Sequence, residues 1–263
     1  MKISITLFAI LFSLSLMAQP GSWKQIGQAG GWANTKKMTM INEKIYTVDN
    51  SGFLYETVAA TGAWKKLGTS AAYGSTILMV ASNGSLYTIE TSGSLYIINR
   101  TDGSWKRLGN GSAWTGVITG TVLNGKLYTA EKDGSLYVTD LSSGSRSQIG
   151  KPDFSETWKM WTANKKLYSI EKSGTMYEIN PADGSWKQLG EAGAWKSTIA
   201  GVVMNNLFYS VDLGGSLFVT DLNVGVPKQL GDDAFGGTVF MGAGATKLYT
   251  IESSGSLYEV NAN

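Results

Sequence analysis

Short runs of apolar and β-branched residues, each bounded by turn-forming residues, recur along the chain from residue 22 onwards. Between residues 117 and 149 they predict four strands, near Val117–Leu123, Lys126–Glu131, Ser135–Asp140 and Ser145–Ile149. Asn124-Gly125 and Asp133-Gly134 separate the first three, and both dipeptides favour the positive φ angles of a tight hairpin turn. The pattern therefore predicts antiparallel strands joined by short hairpins.

The same pattern repeats every 40 or 41 residues, and two alignment columns show it most clearly. The glycine that follows an aliphatic residue stands at Gly27, Gly68, Gly109, Gly150, Gly190 and Gly231. The tyrosine of the second strand stands at Tyr46, Tyr87, Tyr128, Tyr168, Tyr209 and Tyr249. Because the repeats cover residues 22–263 without a gap, we expect one domain from 19 to 263.

Six repeats of four strands each predict an all-β, six-bladed β-propeller built from four-stranded antiparallel blades. Several strands carry apolar side chains at successive positions, as in 136–138 (Leu-Tyr-Val). Such strands are covered on both faces, which happens when sheets stack around an axis. An open β-solenoid is the alternative, but it needs distinct polar end caps, and the sequence shows none.

The two ends of the chain predict how the ring closes. The last repeat stops after its third strand, Ser256–Val260, whereas the segment 21–27 (GSWKQIG) has the sequence of a fourth strand. It matches GSWKRLG at 103–109 and GSWKQLG at 184–190. We therefore expect the N-terminal strand to complete the sixth blade and to remove the open sheet edge.

Composition narrows the possible functions. Residues 1–18 are an apolar stretch after Lys2, typical of a signal peptide, which predicts a secreted or periplasmic protein with no membrane insertion after cleavage.

The chain has no Cys and no His, so thiol chemistry and the commonest general base are excluded, and no metal or cofactor is expected. A formal net charge of +2 without a basic cluster argues against nucleic acid as a partner. Nothing in the sequence requires an oligomer.

Two repeated columns are candidates for ligand binding. The first contains the loop aromatics after the glycine, Trp32, Tyr73, Trp114 and Trp195, with Phe154 and Phe235 one residue earlier in their repeats. The second contains the acids before the second turn, Asp49, Glu90, Glu131, Glu171, Asp212 and Glu252. In a propeller both columns lie on one rim, near the blade junctions. An aromatic ring beside a carboxylate fits a sugar, because the ring covers C–H groups and the carboxylate accepts hydroxyl or amide protons.

Each column also has a structural interpretation. The acids can accept N–H groups of their own turns, and the loop aromatics can fill the gap between blades. A third aromatic column, on the fourth strands, is expected to belong to the core and contains Trp23, Trp64, Trp105 and Trp186, with Arg146 and Pro227 in the remaining repeats.

The segment Gly27-Gln28-Ala29-Gly30-Gly31-Trp32, followed by Lys44-Ile45-Tyr46, resembles the repeat of tachylectin-2-type propeller lectins. The resemblance extends in outline to the other repeats, although the type member has five longer blades. It implies a propeller that binds N-acetylated sugars between adjacent blades.

Three functions are therefore compared. Nearly identical sites on one rigid face favour a multivalent carbohydrate-binding protein with glycan partners. A protein-binding scaffold is the alternative, since propellers present loops to partners. An enzyme requires a place where the symmetry breaks, and the candidate there is the carboxylate pair Asp153 and Glu156 of the fourth repeat. Without His or Cys, we expect no enzymatic activity.

Overall fold

A computed structural model describes residues 19–231 and 234–262. In this part of the chain, 24 strands form six four-stranded antiparallel sheets, so the prediction of a six-bladed propeller is confirmed. No helix there is long and apolar enough to cross a membrane. The predicted signal peptide, residues 1–18, lies outside the described residues.

The first three blades follow one another along the chain, each beginning with its innermost strand. Blade 1 contains β2 (Thr35–Ile41), β3 (Lys44–Asp49), β4 (Leu54–Val58) and β5 (Trp64–Leu67). Blade 2 contains β6 (Thr76–Ser82), β7 (Ser85–Glu90), β8 (Leu95–Ile98) and β9 (Trp105–Leu108). Blade 3 contains β10 (Val117–Leu123), β11 (Lys126–Glu131), β12 (Leu136–Asp140) and β13 (Arg146–Ile149), as the sequence predicted within one residue.

The remaining blades repeat this order until the last one, which takes its outermost strand from the start of the chain. Blade 4 contains β14 (Thr157–Ala163), β15 (Lys166–Glu171), β16 (Met176–Ile179) and β17 (Trp186–Leu189). Blade 5 contains β18 (Thr198–Met204), β19 (Leu207–Asp212), β20 (Leu217–Asp221) and β21 (Pro227–Gln229). Blade 6 contains β22 (Thr238–Ala243), β23 (Lys247–Glu252), β24 (Leu257–Asn261) and β1 (Trp23–Ile26).

The ring closes through β1, as predicted. β1 pairs antiparallel with β24, with Trp23 opposite Val260 and Ile26 opposite Leu257. Ile26 is buried in one hydrophobic cluster with Trp32, Ile45 and Leu257, which brings together residues of blades 6 and 1. The innermost strands also form a closed circle, in which β2 contacts both β6 and β22. Closure therefore rests on side-chain packing as well as on backbone pairing.

The loop that enters each blade is tied to the blade before it by one repeated hydrogen bond. The loop aromatic donates its backbone N–H to the carbonyl of the turn glycine in the preceding blade, over 2.9–3.0 Å. The pairs are Trp32 to Gly255, Tyr73 to Gly52, Trp114 to Gly93, Phe154 to Gly134, Trp195 to Gly174 and Phe235 to Gly215. These bonds fix the loop aromatics at the blade junctions.

If the closing strand is as firmly packed as an internal one, truncating its buried residue will cost as much as the same change inside the chain. We expect Ile26→Ala to lower the free energy of unfolding by about 2–5 kcal/mol, and we expect the same of Leu67→Ala at the equivalent position of blade 1. Denaturant unfolding followed by circular dichroism measures both. The exposed Gln25→Ala is the control, expected within about 0.5 kcal/mol of the wild type. A neutral Ile26→Ala beside a costly Leu67→Ala would show that β1 is dispensable.

Candidate functional site

The loop aromatics do not present their rings to solvent. Trp114 is 0% exposed, and the others are buried as well: Trp32, Tyr73, Phe154, Trp195 and Phe235. The indole of Trp114 covers Gly109 so closely that a Cβ there would lie 2.9 Å from its Cη2 atom. Its Nε1 donates to Thr139 Oγ1 over 3.2 Å. The expectation that these rings are open stacking surfaces for sugars is therefore wrong, because they fill the junctions between blades.

The exposed tryptophans are those that the sequence assigned to the core. Trp23, Trp64, Trp105 and Trp186 are 51%, 57%, 52% and 48% exposed. They lie on the outermost strands, where no further strand covers them and where only the final Ile or Leu of the strand is fully buried in blades 1, 4 and 6. The sequence contains a signal for this exposure. Two polar residues, Lys-Lys after Trp64 and Lys-Gln after Trp23 and Trp186, separate the tryptophan from the final Ile or Leu, so such a strand has one buried position.

Each exposed tryptophan packs edge-on against a tyrosine of the neighbouring third strand. The ring centroids are 4.9–5.4 Å apart and the planes are steeply inclined, at 76–90°. The pairs are Trp23–Tyr258, Trp64–Tyr55, Trp105–Tyr96 and Trp186–Tyr177. This geometry is a favourable one for aromatic pairs. It holds the indole in one orientation while its outer part stays exposed to solvent.

The aromatic pair and the acid column meet in a small pocket. In blade 2 the pocket measures ≈ 130 Å³, and its walls include Tyr73, Thr88, Glu90, Tyr96 and Trp105. Blade 1 has a pocket of ≈ 140 Å³ and blade 6 one of ≈ 80 Å³, with the same kinds of residue at matching positions. The acids Asp49, Glu90 and Glu252 and the loop aromatics Trp32, Tyr73 and Phe235 line these pockets. The candidate residues from the sequence thus include part of the lining of these pockets, but not the tryptophan and the tyrosine.

The acids of the column divide into two groups by their partners. Asp49 and Asp212 each accept a backbone N–H of their own turn, from Phe53 over 2.8 Å and from Ser216 over 2.9 Å. The structural interpretation from the sequence therefore holds for the aspartates. Glu90 and Glu252 instead accept hydroxyl protons at the start of the innermost strand.

Glu90 accepts the hydroxyl protons of Ser75 and Thr76 over 2.7 and 2.8 Å. Glu252 accepts the hydroxyl proton of Thr238 over 2.8 Å. Burial raises the pKa of Glu252, and the hydrogen bond from Thr238 opposes this shift. Burial, together with the charge of Glu156, also raises the pKa of Glu171. These two carboxylates are therefore partly desolvated.

The other three blades lack one part of this arrangement or modify it. In blade 3, Arg146 replaces the tryptophan and forms an ion pair with Glu131. In blade 4, the Trp186 indole donates its Nε1–H to Asp153 Oδ2 over 3.1 Å. In blade 5, Phe218 and Pro227 replace the tyrosine and the tryptophan near Asp212 and Trp195. The Tyr–Trp pair therefore exists in blades 1, 2, 4 and 6.

The candidate carboxylate pair of the fourth repeat, Asp153 and Glu156, has a different partner for each acid. The Asp153 side chain accepts the Trp186 indole proton, and Glu156 pairs with Lys172 over 3.2 Å. Among residues 19–231 and 234–262, no group of three or more acids could hold a metal ion.

Comparison with known proteins supports the fold. No protein-family model matches the chain, and no curated protein matches its sequence. A structural genomics protein of unknown function from Bacteroides thetaiotaomicron has a TM-score of 0.66 at 12% identity, over 92% of this chain and 72% of that one.

Two further solved structures have a recorded activity or ligand. Virginiamycin B lyase from Staphylococcus aureus has a TM-score of 0.59 at 12% identity, over 87% of this chain and 80% of that one. A variant of that lyase with a histidine replaced by alanine is catalytically inactive. YCF48 bound to D1 peptide has a TM-score of 0.59 at 15% identity, over 87% and 78% of the two chains. At these identities the similarity shows a β-propeller scaffold.

The two tryptophan columns predict losses of stability of different size. We expect Trp114→Ala to lower the free energy of unfolding by about 3–5 kcal/mol, because it removes a fully buried indole. Trp105→Ala removes a half-exposed indole and one edge-on aromatic contact, so we expect a loss of about 0.5–1.5 kcal/mol. Denaturant unfolding of both variants tests this. Equal losses would contradict the assignment of one column to the interior and the other to the surface.

Proposed function

We propose that this protein is a secreted or periplasmic, multivalent carbohydrate-binding protein whose sites are the pockets with the Tyr–Trp pair. One observation carries the proposal: a half-exposed indole, fixed edge-on by a tyrosine, recurs in four blades, and in blades 1, 2 and 6 it lines a pocket together with an acid of the repeated column. Because the loop aromatics are buried, the sugar-stacking role moves to Trp23, Trp64, Trp105 and Trp186.

The chemistry of one pocket matches that of a sugar. The exposed face of Trp105 can cover the C–H groups of a pyranose, while Glu90 accepts its hydroxyl or amide protons. Pockets of ≈ 80–140 Å³ are smaller than the about 300–1,000 Å³ of typical small-molecule sites. Each pocket therefore binds part of one sugar, and binding at a single site is weak, with a Kd of about 1 mM.

Repetition compensates for this weakness. The Tyr–Trp pairs of four blades lie on one rigid ring and can engage a glycan-coated surface together, and multivalent attachment raises the apparent affinity by about 10²–10⁴. This explains why similar pockets in several blades are more useful than one deep site. The resemblance of the repeat to tachylectin-2-type lectins supports N-acetylated sugars as the ligand class.

A protein-binding scaffold is the second candidate. It is favoured by the similarity to YCF48, which is seen bound to a peptide. An enzymatic function has less support, since the similar lyase loses activity when a histidine is replaced, and this chain has no His. Competition by free sugar separates the two leading candidates, because a scaffold for proteins is insensitive to it.

A glycan array with matched variants tests the proposal. Replacing Trp23, Trp64, Trp105 and Trp186 together by Ala should lower apparent glycan affinity about 10²-fold or more, because the avidity is lost. Replacing Trp105 alone should cause a smaller loss, since three sites remain.

The control is Pro227→Ala, at the equivalent position of blade 5, where neither the tyrosine nor the tryptophan is present. We expect it to bind glycans like the wild type. Unchanged binding by the fourfold variant, with its fold verified by circular dichroism, would refute the assignment of the sites.

A further inference from the structure

Blade 3 shows how a cationic group can be held at this position of a blade, because the side chain of its own Arg146 lies there. The guanidinium of Arg146 lies 3.5 Å from the ring centroid of Tyr137. One of its nitrogens donates to Glu131 Oε1 and another to the backbone carbonyl of Ala113. A planar cation is thus held by an aromatic ring, a carboxylate and a loop carbonyl. Burial lowers the pKa of Arg146 to about 10, so the group stays charged at neutral pH.

The guanidinium fills the space that is open in other blades. The cavity beside blade 3 is lined by Ala113, Trp114, Tyr137 and Arg146, but not by Glu131. In blades 1, 2 and 6 the acid lines the pocket directly. Arg146 therefore separates Glu131 from the solvent-facing part of the site.

The pockets of blades 2 and 6 contain the same three partners without a cation. The tyrosines there are Tyr96 and Tyr258, the acids are Glu90 and Glu252, and the loop residues that match Ala113 are Ala72 and Ala234. Within residues 19–231 and 234–262, neither Glu90 nor Glu252 forms an ion pair. Glu90 is also buried, and a buried carboxylate without a counter-ion is costly.

Blade 6 resembles blade 3 most closely. At the positions of Ser75 and Thr76, which donate to Glu90, blade 3 has Gly116 and Val117 and offers Glu131 no hydroxyl. Blade 6 has Gly237 and Thr238, so Glu252 receives one hydroxyl proton. Glu252 therefore has more unused accepting capacity than Glu90, and we expect the stronger cation site in blade 6.

We propose that the pockets of blades 2 and 6 bind a cationic N–H donor, an ammonium or guanidinium group, and that the sugars bound in these two pockets carry a free amino group in place of the N-acetyl group that the resemblance of the repeat implies. The Tyr–Trp pair supplies aromatic rings for the cation, and the glutamate supplies its counter-charge. The choice of an amino sugar rests on the proposed carbohydrate-binding function, whereas the cation chemistry rests on blade 3 alone. The formal net charge of +2 gives the whole protein no attraction for cations, so such binding has to be local.

Binding to immobilised glucosamine oligosaccharides, N-acetylglucosamine oligosaccharides and free methylguanidinium tests this in one series. We expect the glucosamine oligomer to bind more tightly than its N-acetylated counterpart, and the double variant Glu90→Gln/Glu252→Gln to lose about tenfold or more of that affinity. The control Glu178→Gln/Glu259→Gln removes the same charge from residues that pair with lysines, and it should keep the preference.

The outcomes separate the two proposals. Tight binding of the N-acetylated oligomer alone, unchanged in the double variant, would overturn the cation site and leave the carbohydrate-binding function standing. Binding of methylguanidinium without either oligosaccharide would support the cation site and overturn the sugar function. Binding of neither class would overturn both.

Chemical rescue in blade 3 provides a second readout that needs no sugar. Arg146→Ala leaves Glu131 buried without its partner, so we expect a lower melting temperature. Methylguanidinium at millimolar concentration should restore part of this loss in the variant and leave the wild type unchanged, whereas neutral methylurea should do nothing. Equal effects of the two compounds would contradict the assignment of these three groups as a cation-binding set.

Discussion

The close approach of backbones at the blade junctions is the constraint on which the rest of the structure depends. The glycine that follows an outermost strand contacts a turn of the next blade, and the space there is too small for a side chain. A Cβ on Gly109 would lie 2.7 Å from the carbonyl oxygen of Gly144, and one on Gly190 would lie even closer to that of Gly225. Both partners also have positive φ, which a side chain disfavours. Only glycine permits this spacing, and the spacing in turn leaves a slot that the loop aromatic fills.

This constraint explains why the two tryptophan columns have opposite roles. The loop indoles are held by their backbone hydrogen bonds to the preceding blade, and their ring tips lie on the junction glycines, so they cannot turn outwards. The outermost strands have a free edge, and a large side chain there has only the neighbouring strand to pack on. The tyrosine of that strand supports the indole without covering it. Packing thus buries one aromatic column and leaves the other half-exposed to solvent.

The differences between blades show which residues can change while the four-stranded sheet still forms. The backbone of blade 3 pairs in the same register as that of blade 2, yet blade 3 has Arg146 in place of the tryptophan and an ion pair with Glu131 in place of the open pocket. Blade 5 loses the aromatic pair through Phe218 and Pro227, and it still forms a four-stranded sheet. Because strand pairing and the glycine junctions carry the fold, the residues of the pocket can vary independently.

The sequence alone determined the architecture. Repeat length, hairpin dipeptides such as Asn124-Gly125 and the orphan strand 21–27 give strand number, strand order and the closure of the ring, because each depends on local turn chemistry or on simple counting. Only the tertiary structure decided which aromatic side chains meet solvent. Trp105 and Trp114 both recur once per repeat, so periodicity cannot distinguish them. Their exposure depends on the packing of neighbouring blades, and so does the partner of each acid, the turn for Asp49 and the innermost strand for Glu90.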